Sequence, residues 1–158
     1  MDVRFINPFL TGTMNVLRTM ASVEPRPGKP YLKKDSLATG DVSGIIGLTG
    51  SVTGSMALSF SEKSILKIVS NMLGEELTEV NGDITDAVGE ITNMVSGASR
   101  KELEAVGLTI SAAIPTVISG KGHSIKHVLG GPSLIIPFET DHGPFVVDVC
   151  INDAKQSK

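Results

Sequence analysis

Four residues between positions 86 and 97 would share one side of a helix, and their side chains suit contact with another molecule. Successive helical residues are about 100° apart, so Asp86, Glu90, Asn93 and Gly97 fall within roughly 60° of one another. Carboxylates can pair with cations, an amide both donates and accepts hydrogen bonds, and glycine leaves the backbone open to close approach. This polar stripe (Asp86, Glu90, Asn93 and Gly97) indicates a surface for another protein, although an ordinary solvated helix face can have the same composition.

The composition of the polar stripe is poor for helix stability. Asp86 and Glu90 are like charges one turn apart, with no lysine or arginine on the stripe between positions 86 and 97 to balance them, which costs a few tenths of a kcal/mol. Gly89 and Gly97 each cost about 1 kcal/mol relative to alanine inside a helix. A helix shaped only for stability would avoid these residues, so the pattern favours a functional surface.

The spacing around the stripe resembles the signature of the CheC/CheX/FliY family of chemotaxis phosphatases. That signature is Asp or Ser, three residues, Glu, two residues, Asn, then 21 residues and Pro. Asp86, Glu90, Asn93 and Pro115 fit it with the spacing intact. The resemblance extends over nearly the whole chain in length and order of elements.

Further segments indicate which branch of the family the chain resembles. INPFL at 6–10 and RTM at 18–20 are similar to the start of CheX-type members. CheC-type members carry two ExxN helices, whereas the predicted first helix here contains no Glu and no second ExxN exists. FliY-type members usually carry an additional domain, for which this length leaves no room. The resemblance therefore favours the CheX branch.

The resemblance implies a hydrolase, a protein phosphatase that dephosphorylates the phosphoaspartate of a CheY-type response regulator in two-component signalling. Such a regulator holds its own Mg²⁺, so we expect no cofactor on this chain. The implied catalytic residues are Asn93, which orients the attacking water, and Glu90, which pairs with the regulator's lysine; no covalent intermediate is needed. Asp86 and Gly97 are expected to bind the partner. The alternative is a non-catalytic module that docks on a response regulator or a flagellar motor component.

The polar stripe needs a long helix with an apolar opposite side. Ile84, Val88, Ile91 and Val95 cluster about 140–200° from Asp86, which predicts a helix from about Asp83 to Leu103 that packs on a sheet. The fold class is therefore α/β of the α+β type, with an antiparallel-rich sheet and amphipathic helices. We expect a single domain over residues 1–158.

The other elements follow from caps, alternation and turn residues. A first helix is predicted from about Pro8 to Met20 with Asn7 as its cap, and a second is capped by Ser61 and ended by Gly74. Alternating apolar residues predict hairpins at 41–60 and 133–152, a loosely duplicated plan, and a further strand at 108–114. We also expect an exposed, mobile loop at 24–36, a glycine-containing turn region at 119–127 and a frayed tail at 153–158.

Composition excludes several classes of protein. The 158 residues carry a net charge of −3, no Trp and one Tyr, which argues against a nucleic-acid partner. No apolar run is long enough to span a bilayer, so we expect a cytoplasmic protein without a membrane partner. Cys150 is the only cysteine and lies in an apolar run, so it is predicted to be a buried hydrophobe rather than a catalytic thiol.

Two further patterns concern metals and assembly. His123 and His127 are four residues apart, but the glycines around them argue against a helix that would hold a metal pair. The segment 145–151 is apolar on both sides and is expected to be an exposed sheet edge. Because CheX-like proteins pair through a shared sheet, the resemblance implies a homodimer.

Overall fold

The computed structural model describes residues 3–33, 37–126 and 132–153. Within these ranges the chain forms eight strands in one sheet, three α-helices and a short 3₁₀ turn, which confirms the predicted α+β class. The helices are α1 (Ile6–Ala21), α2 (Glu62–Leu73) and α3 (Gly82–Ala105). The strands are β1 (Arg26–Pro27), β2 (Tyr31–Lys33), β3 (Leu37–Gly50), β4 (Val52–Phe60), β5 (Ile110–Ala112), β6 (Thr116–Lys126), β7 (Ser133–Thr140) and β8 (Gly143–Asp153).

The sheet is antiparallel and is built around the two predicted hairpins. Its strand order is β1-β7-β8-β4-β3-β5, with β2 also paired to β7 and β6 also paired to β3. The hairpins β3–β4 and β7–β8 meet through β4 and β8, where Met56 lies opposite Val149. Both residues are buried and belong to the core that the sheet shares with the helices. Both hairpin predictions are confirmed.

The helix ends follow their capping residues in two of the three cases. Ser61 accepts a hydrogen bond from the Ser64 backbone at the start of α2, and Gly74 ends that helix with a φ of 70°. Asn81 caps α3. The prediction for α1 was wrong by two residues: it begins at Ile6, so Asn7 lies inside the helix, because the 3₁₀ turn Val3–Phe5 leads directly into it.

Two segments predicted to be irregular contain strands. Within 24–36, β1 and β2 pair with the outer side of β7, where prolines are tolerated because an edge position leaves a donor unused; residues 34–36 lie outside the described part. The predicted turn at 119–127 is instead most of β6, and Gly120 and Gly122 adopt positive φ within it. His127 and residues 154–158 also lie outside the described ranges.

The position of β8 shows that the segment 145–151 is not an exposed sheet edge, so this reason for predicting a homodimer was wrong. This strand lies between β7 and β4, so both of its edges are already paired. Its apolar character on both sides reflects burial in the middle of the sheet rather than an exposed edge. Cys150 is buried there as predicted, and this burial raises the pKa of its thiol.

A close contact between α3 and β3 fixes the height of the long helix above the sheet. A Cβ atom on Gly44 would overlap the hydroxyl of Thr92 and would lie only 3.1 Å from the Thr92 Cβ. Thr92 is fully buried, and its hydroxyl donates to the Val88 carbonyl at 2.7 Å. The missing side chain at Gly44 therefore lets the helix backbone approach the strand closely.

Candidate active site

Helix α3 presents the polar stripe to solvent. Asp86, Glu90 and Asn93 are exposed and Gly97 is half-buried. On the opposite side the helix buries the predicted apolar residues against the core, namely Ile84, Val88, Ile91 and Val95. The structure therefore brings the two candidate catalytic side chains together on one exposed surface of a 24-residue helix.

The candidate side chains are not engaged within the described part of the chain. Neither the Glu90 carboxylate nor the Asn93 side-chain amide forms a hydrogen bond or an ion pair with another described residue. The same holds for the Asp86 carboxylate. An exposed carboxylate and an exposed amide one turn apart can therefore bind a partner without first breaking an internal contact.

The helix that carries the stripe is held firmly on two sides. Thr92 anchors it over Gly44, and Ser99 donates to the Val95 carbonyl at 2.8 Å on the side that faces α1. There a Cβ atom on Gly12 would lie 2.9 Å from the Ser99 hydroxyl oxygen, so α1 also approaches α3 closely. A site built on such a packed helix keeps its geometry better than one built on a loop.

The signature proline lies in the segment that joins β5 to β6 beside α3. A Cβ atom on Gly89 would lie 3.5 Å from the Val117 side chain, so the start of β6 runs along the helix near Glu90. Pro115 is half-buried, and its neighbour Ile114 is 89% exposed. Sequence reasoning placed Ile114 at the end of a strand at 108–114, whereas β5 ends at Ala112 and Ile114 lies in the exposed connection to β6.

His123 connects β6 to β3 through the hydroxyl of Ser43. Its Nδ1 lies 2.8 Å from the Gly120 carbonyl, and its Nε2 lies 2.8 Å from the Ser43 hydroxyl. A carbonyl only accepts, so Nδ1 donates to Gly120, and Nε2 contacts the Ser43 hydroxyl, which itself donates to the Ser59 hydroxyl at 2.9 Å. His123 thereby holds β6 against β3.

The Asp41 carboxylate, which sequence reasoning missed, also connects β6 to β3. Asp41 accepts hydrogen bonds from the backbone N–H groups of Gly122 and Glu62, which lower the pKa of its carboxyl. It therefore joins β6 and the start of α2 to the bulge in β3. Among the described residues, His, Cys, Asp and Glu form no group of three or more that could hold a metal ion.

The polar stripe lies on an open helix surface. A large groove lies on another part of the molecule and contains no residue of the stripe. That groove, of about 1280 Å³, runs beside α2 and is lined in part by Lys63, Lys67 and His142. Surface lysines alone do not make a binding site. No helix in the described ranges is both long and apolar enough to cross a membrane.

Comparisons with known proteins assign this chain to one family. The family model described as chemotaxis phosphatase CheX matches residues 42–139. The CheY-P phosphatase CheX of Thermotoga maritima is 33% identical over 127 residues, which span 80% of this chain and 82% of that protein.

Solved structures agree with this result. Chemotaxis protein CheX from Vibrio vulnificus is 47% identical, with a TM-score of 0.89 over 95% of this chain and 100% of the other. The CheX-CheY-BeF3-Mg²⁺ complex from Borrelia burgdorferi contains a chain that is 28% identical, with a TM-score of 0.78 over 96% of this chain and 99% of that one. From the signature, the fold and these matches, the chain belongs to the CheX family of chemotaxis phosphatases.

Proposed function

We propose that this chain hydrolyses the phosphoaspartate of a CheY-type response regulator. The observation that carries the proposal is the exposed pair Glu90 and Asn93, at the family spacing, on a firmly packed helix. The Thermotoga relative is a CheY-P phosphatase, and the Borrelia relative forms a complex with CheY, BeF3 and Mg²⁺. Both support a regulator as the partner and Mg²⁺ on the regulator's side of the interface.

The reaction needs an attacking water more than it needs another charged group. The water oxygen forms a bond to phosphorus, the bond from phosphorus to the aspartyl oxygen breaks, and phosphate and a free carboxylate result. The regulator's Mg²⁺ and lysine stabilise the charge of the transferring group. What this chain supplies is a neutral amide at Asn93, which can hold the water on the line of attack without repelling the phosphoryl oxygens. Such orientation can lower the barrier by ~2–4 kcal/mol.

Glu90 is assigned a docking role because its charge is unsuited to a position beside the phosphoryl group. A carboxylate there would be repelled, whereas the regulator's active-site lysine is a natural partner for a charge-assisted hydrogen bond. Asp86 lies one turn earlier and adds negative charge on the same side of the helix. Gly97 lies one turn beyond Asn93, where a missing side chain lets the regulator approach.

Replacing Glu90 with alanine should weaken docking as well as turnover. We expect the half-saturating regulator concentration to rise by about tenfold, the equivalent of ~1.4 kcal/mol, because the lysine loses its partner. The measurement is the decay of regulator phosphate over a range of regulator concentrations. Glu102→Ala is the matched control, since it removes the same charge from the same helix about 120° away from Glu90. Equal kinetics for the two variants would contradict the role of Glu90.

We also propose that the protein works in the cytoplasm, as response regulators do. Its single cysteine, which has no second cysteine for an internal disulfide, is compatible with a reducing compartment.

A homodimer is proposed through an edge of the sheet other than the one first expected. β2 pairs with β7 on the outer part of the sheet, and its Tyr31 and Leu32 are more than half exposed. Exposed apolar residues on an edge strand favour pairing with a second strand. We expect a dimer at micromolar concentration by sedimentation and a monomer for Leu32→Lys, because an edge lysine disfavours such pairing. A monomeric parent protein would refute the proposal.

A further inference from the structure

The exposed face of α3 continues beyond Gly97 to an arginine. Arg100 lies two turns after Asn93 and about 20° from it around the helix. It therefore belongs to the same face as Glu90 and Asn93, at the opposite end from Asp86. Nothing in the family signature described above includes this position.

The Arg100 side chain is fastened along the helix. Its Nε donates to the hydroxyl of Ser96 at 3.3 Å, and Ser96 is itself fully buried. Its Nη2 lies 3.9 Å from the point where a Cβ atom of Gly97 would stand. The guanidinium therefore lies beside Gly97, on the face of the helix that carries Asn93.

The charge of this guanidinium is not matched by an acid in the described part of the chain. Arg18 pairs with Glu24 and Arg26 pairs with Asp141, whereas Arg100 forms no ion pair with any described residue. A planar guanidinium offers several donors in a fixed fork, which suits a carboxylate or a phosphate. Arg100 thus presents an anchored fork whose outer donors remain available to an anion.

Distance decides which anion it can reach. The guanidinium lies beside Gly97, one helical turn or about 6 Å along the axis from Asn93. A hydrogen bond spans only about 3 Å, about half the separation from Asn93, so Arg100 is better placed for a group beside the reacting phosphoryl group. A carboxylate at the rim of the regulator's phosphorylation site fits this distance better than the phosphoryl group itself.

We propose that Arg100 is a docking residue that binds a carboxylate on the surface of the response regulator and so fixes its orientation on α3. This inference rests on the proposed function. The face then reads as an acid at Glu90, a neutral centre at Asn93 and Gly97, and a cation at Arg100. A matching regulator must present a cation and an anion about 10 Å apart in the corresponding order. A regulator with the reverse order would meet like charges at both ends.

The test combines binding with kinetics. Binding is measured by titrating a CheY-type regulator, loaded with Mg²⁺ and BeF₃⁻, with each variant at low and at high salt. For Arg100→Ala we expect about tenfold weaker binding at low salt, a smaller loss at high salt, a matching rise in KM and a kcat within twofold of the parent. Arg100→Lys should recover binding only in part, because it keeps the charge but not the fork. Ser96→Ala, which removes the anchor alone, should give an intermediate loss.

The control is Lys67→Ala, which removes one positive charge from an exposed position on α2. Unchanged affinity for folded Arg100→Ala would overturn the inference, as would a lower kcat with an unchanged KM, because that pattern indicates contact with the reacting group. The binding measurement uses a non-hydrolysable mimic of the phosphorylated regulator, so its result does not depend on turnover. If the parent protein fails to turn over phosphorylated regulator, the proposed function fails even where the Arg100 contact is found.

Discussion

Asn93→Ala is expected to lower kcat for regulator dephosphorylation by tenfold to a thousandfold, with little change in the affinity for the phosphorylated regulator. The amide is the group that orients the water, and its loss removes ~1.4 kcal/mol of transition-state stabilisation for each tenfold. Glu90 and the rest of the helix surface remain in place, so docking should be retained. The measurement is the decay of regulator phosphate at several regulator concentrations, which separates kcat from KM.

Folding should survive this change, because Asn93 is exposed and alanine is a good helix former. Circular dichroism of the variant provides the folding control. Asn15→Ala is the matched substitution, since Asn15 is an exposed asparagine on α1, away from the stripe. Full turnover by folded Asn93→Ala would refute the water-orienting role, even though family membership would stand.

Gly44→Ala is expected to lower the free energy of unfolding by about 1–3 kcal/mol through overpacking. The added methyl group would overlap the Thr92 hydroxyl and would also lie 3.3 Å from a Val88 methyl group. Thr92 cannot easily move aside, because it is β-branched, fully buried and bonded to its own helix. The helix must instead shift off the sheet, which should also lower activity. Urea unfolding measures the stability change.

The control for this prediction lies three residues further along the same strand. A Cβ atom at Gly47 would meet only the Ala113 Cβ, at 3.9 Å, so Gly47→Ala should leave stability nearly unchanged. Adding Thr92→Ala to Gly44→Ala should restore part of the loss, because it removes the overlapping hydroxyl. Equal unfolding midpoints for Gly44→Ala and Gly47→Ala would show that the close approach of α3 is unimportant.

The parts of the fold that local chemistry decides could be predicted from the sequence. Helix α2 carries its cap at Ser61 and its terminator at Gly74, and the β7–β8 hairpin shows alternation with a turn at 141–142. β6 could not be predicted, because its glycines favour a turn and its strand geometry depends on pairing with the distant β3. The place of β8 in the sheet was misjudged for a similar reason. A strand that is apolar on both sides can lie at an edge or in the centre of a sheet, and the sequence pattern does not distinguish the two positions.

The candidate site divides in the same way. The exposed face that carries Asp86, Glu90 and Asn93 follows from helical periodicity alone. The anchored position of Arg100 depends on the rotamer that reaches Ser96. The hydrogen bond from Gly122 to the Asp41 carboxylate joins residues that are far apart in sequence. Such arrangements arise from tertiary packing, which spacing along the chain does not encode.

The most direct measurement is multiple-turnover dephosphorylation with the protein present at a small fraction of the regulator concentration. Regulator phosphorylated in the presence of Mg²⁺ is mixed with the protein at about one part in fifty, and phosphate release is followed over time. The proposed function predicts that each protein molecule dephosphorylates many regulator molecules and that the rate is proportional to the amount of protein. Decay that changes only when the protein reaches equimolar amounts, or that does not change at all, would contradict catalysis and leave a non-catalytic binding module as the better description.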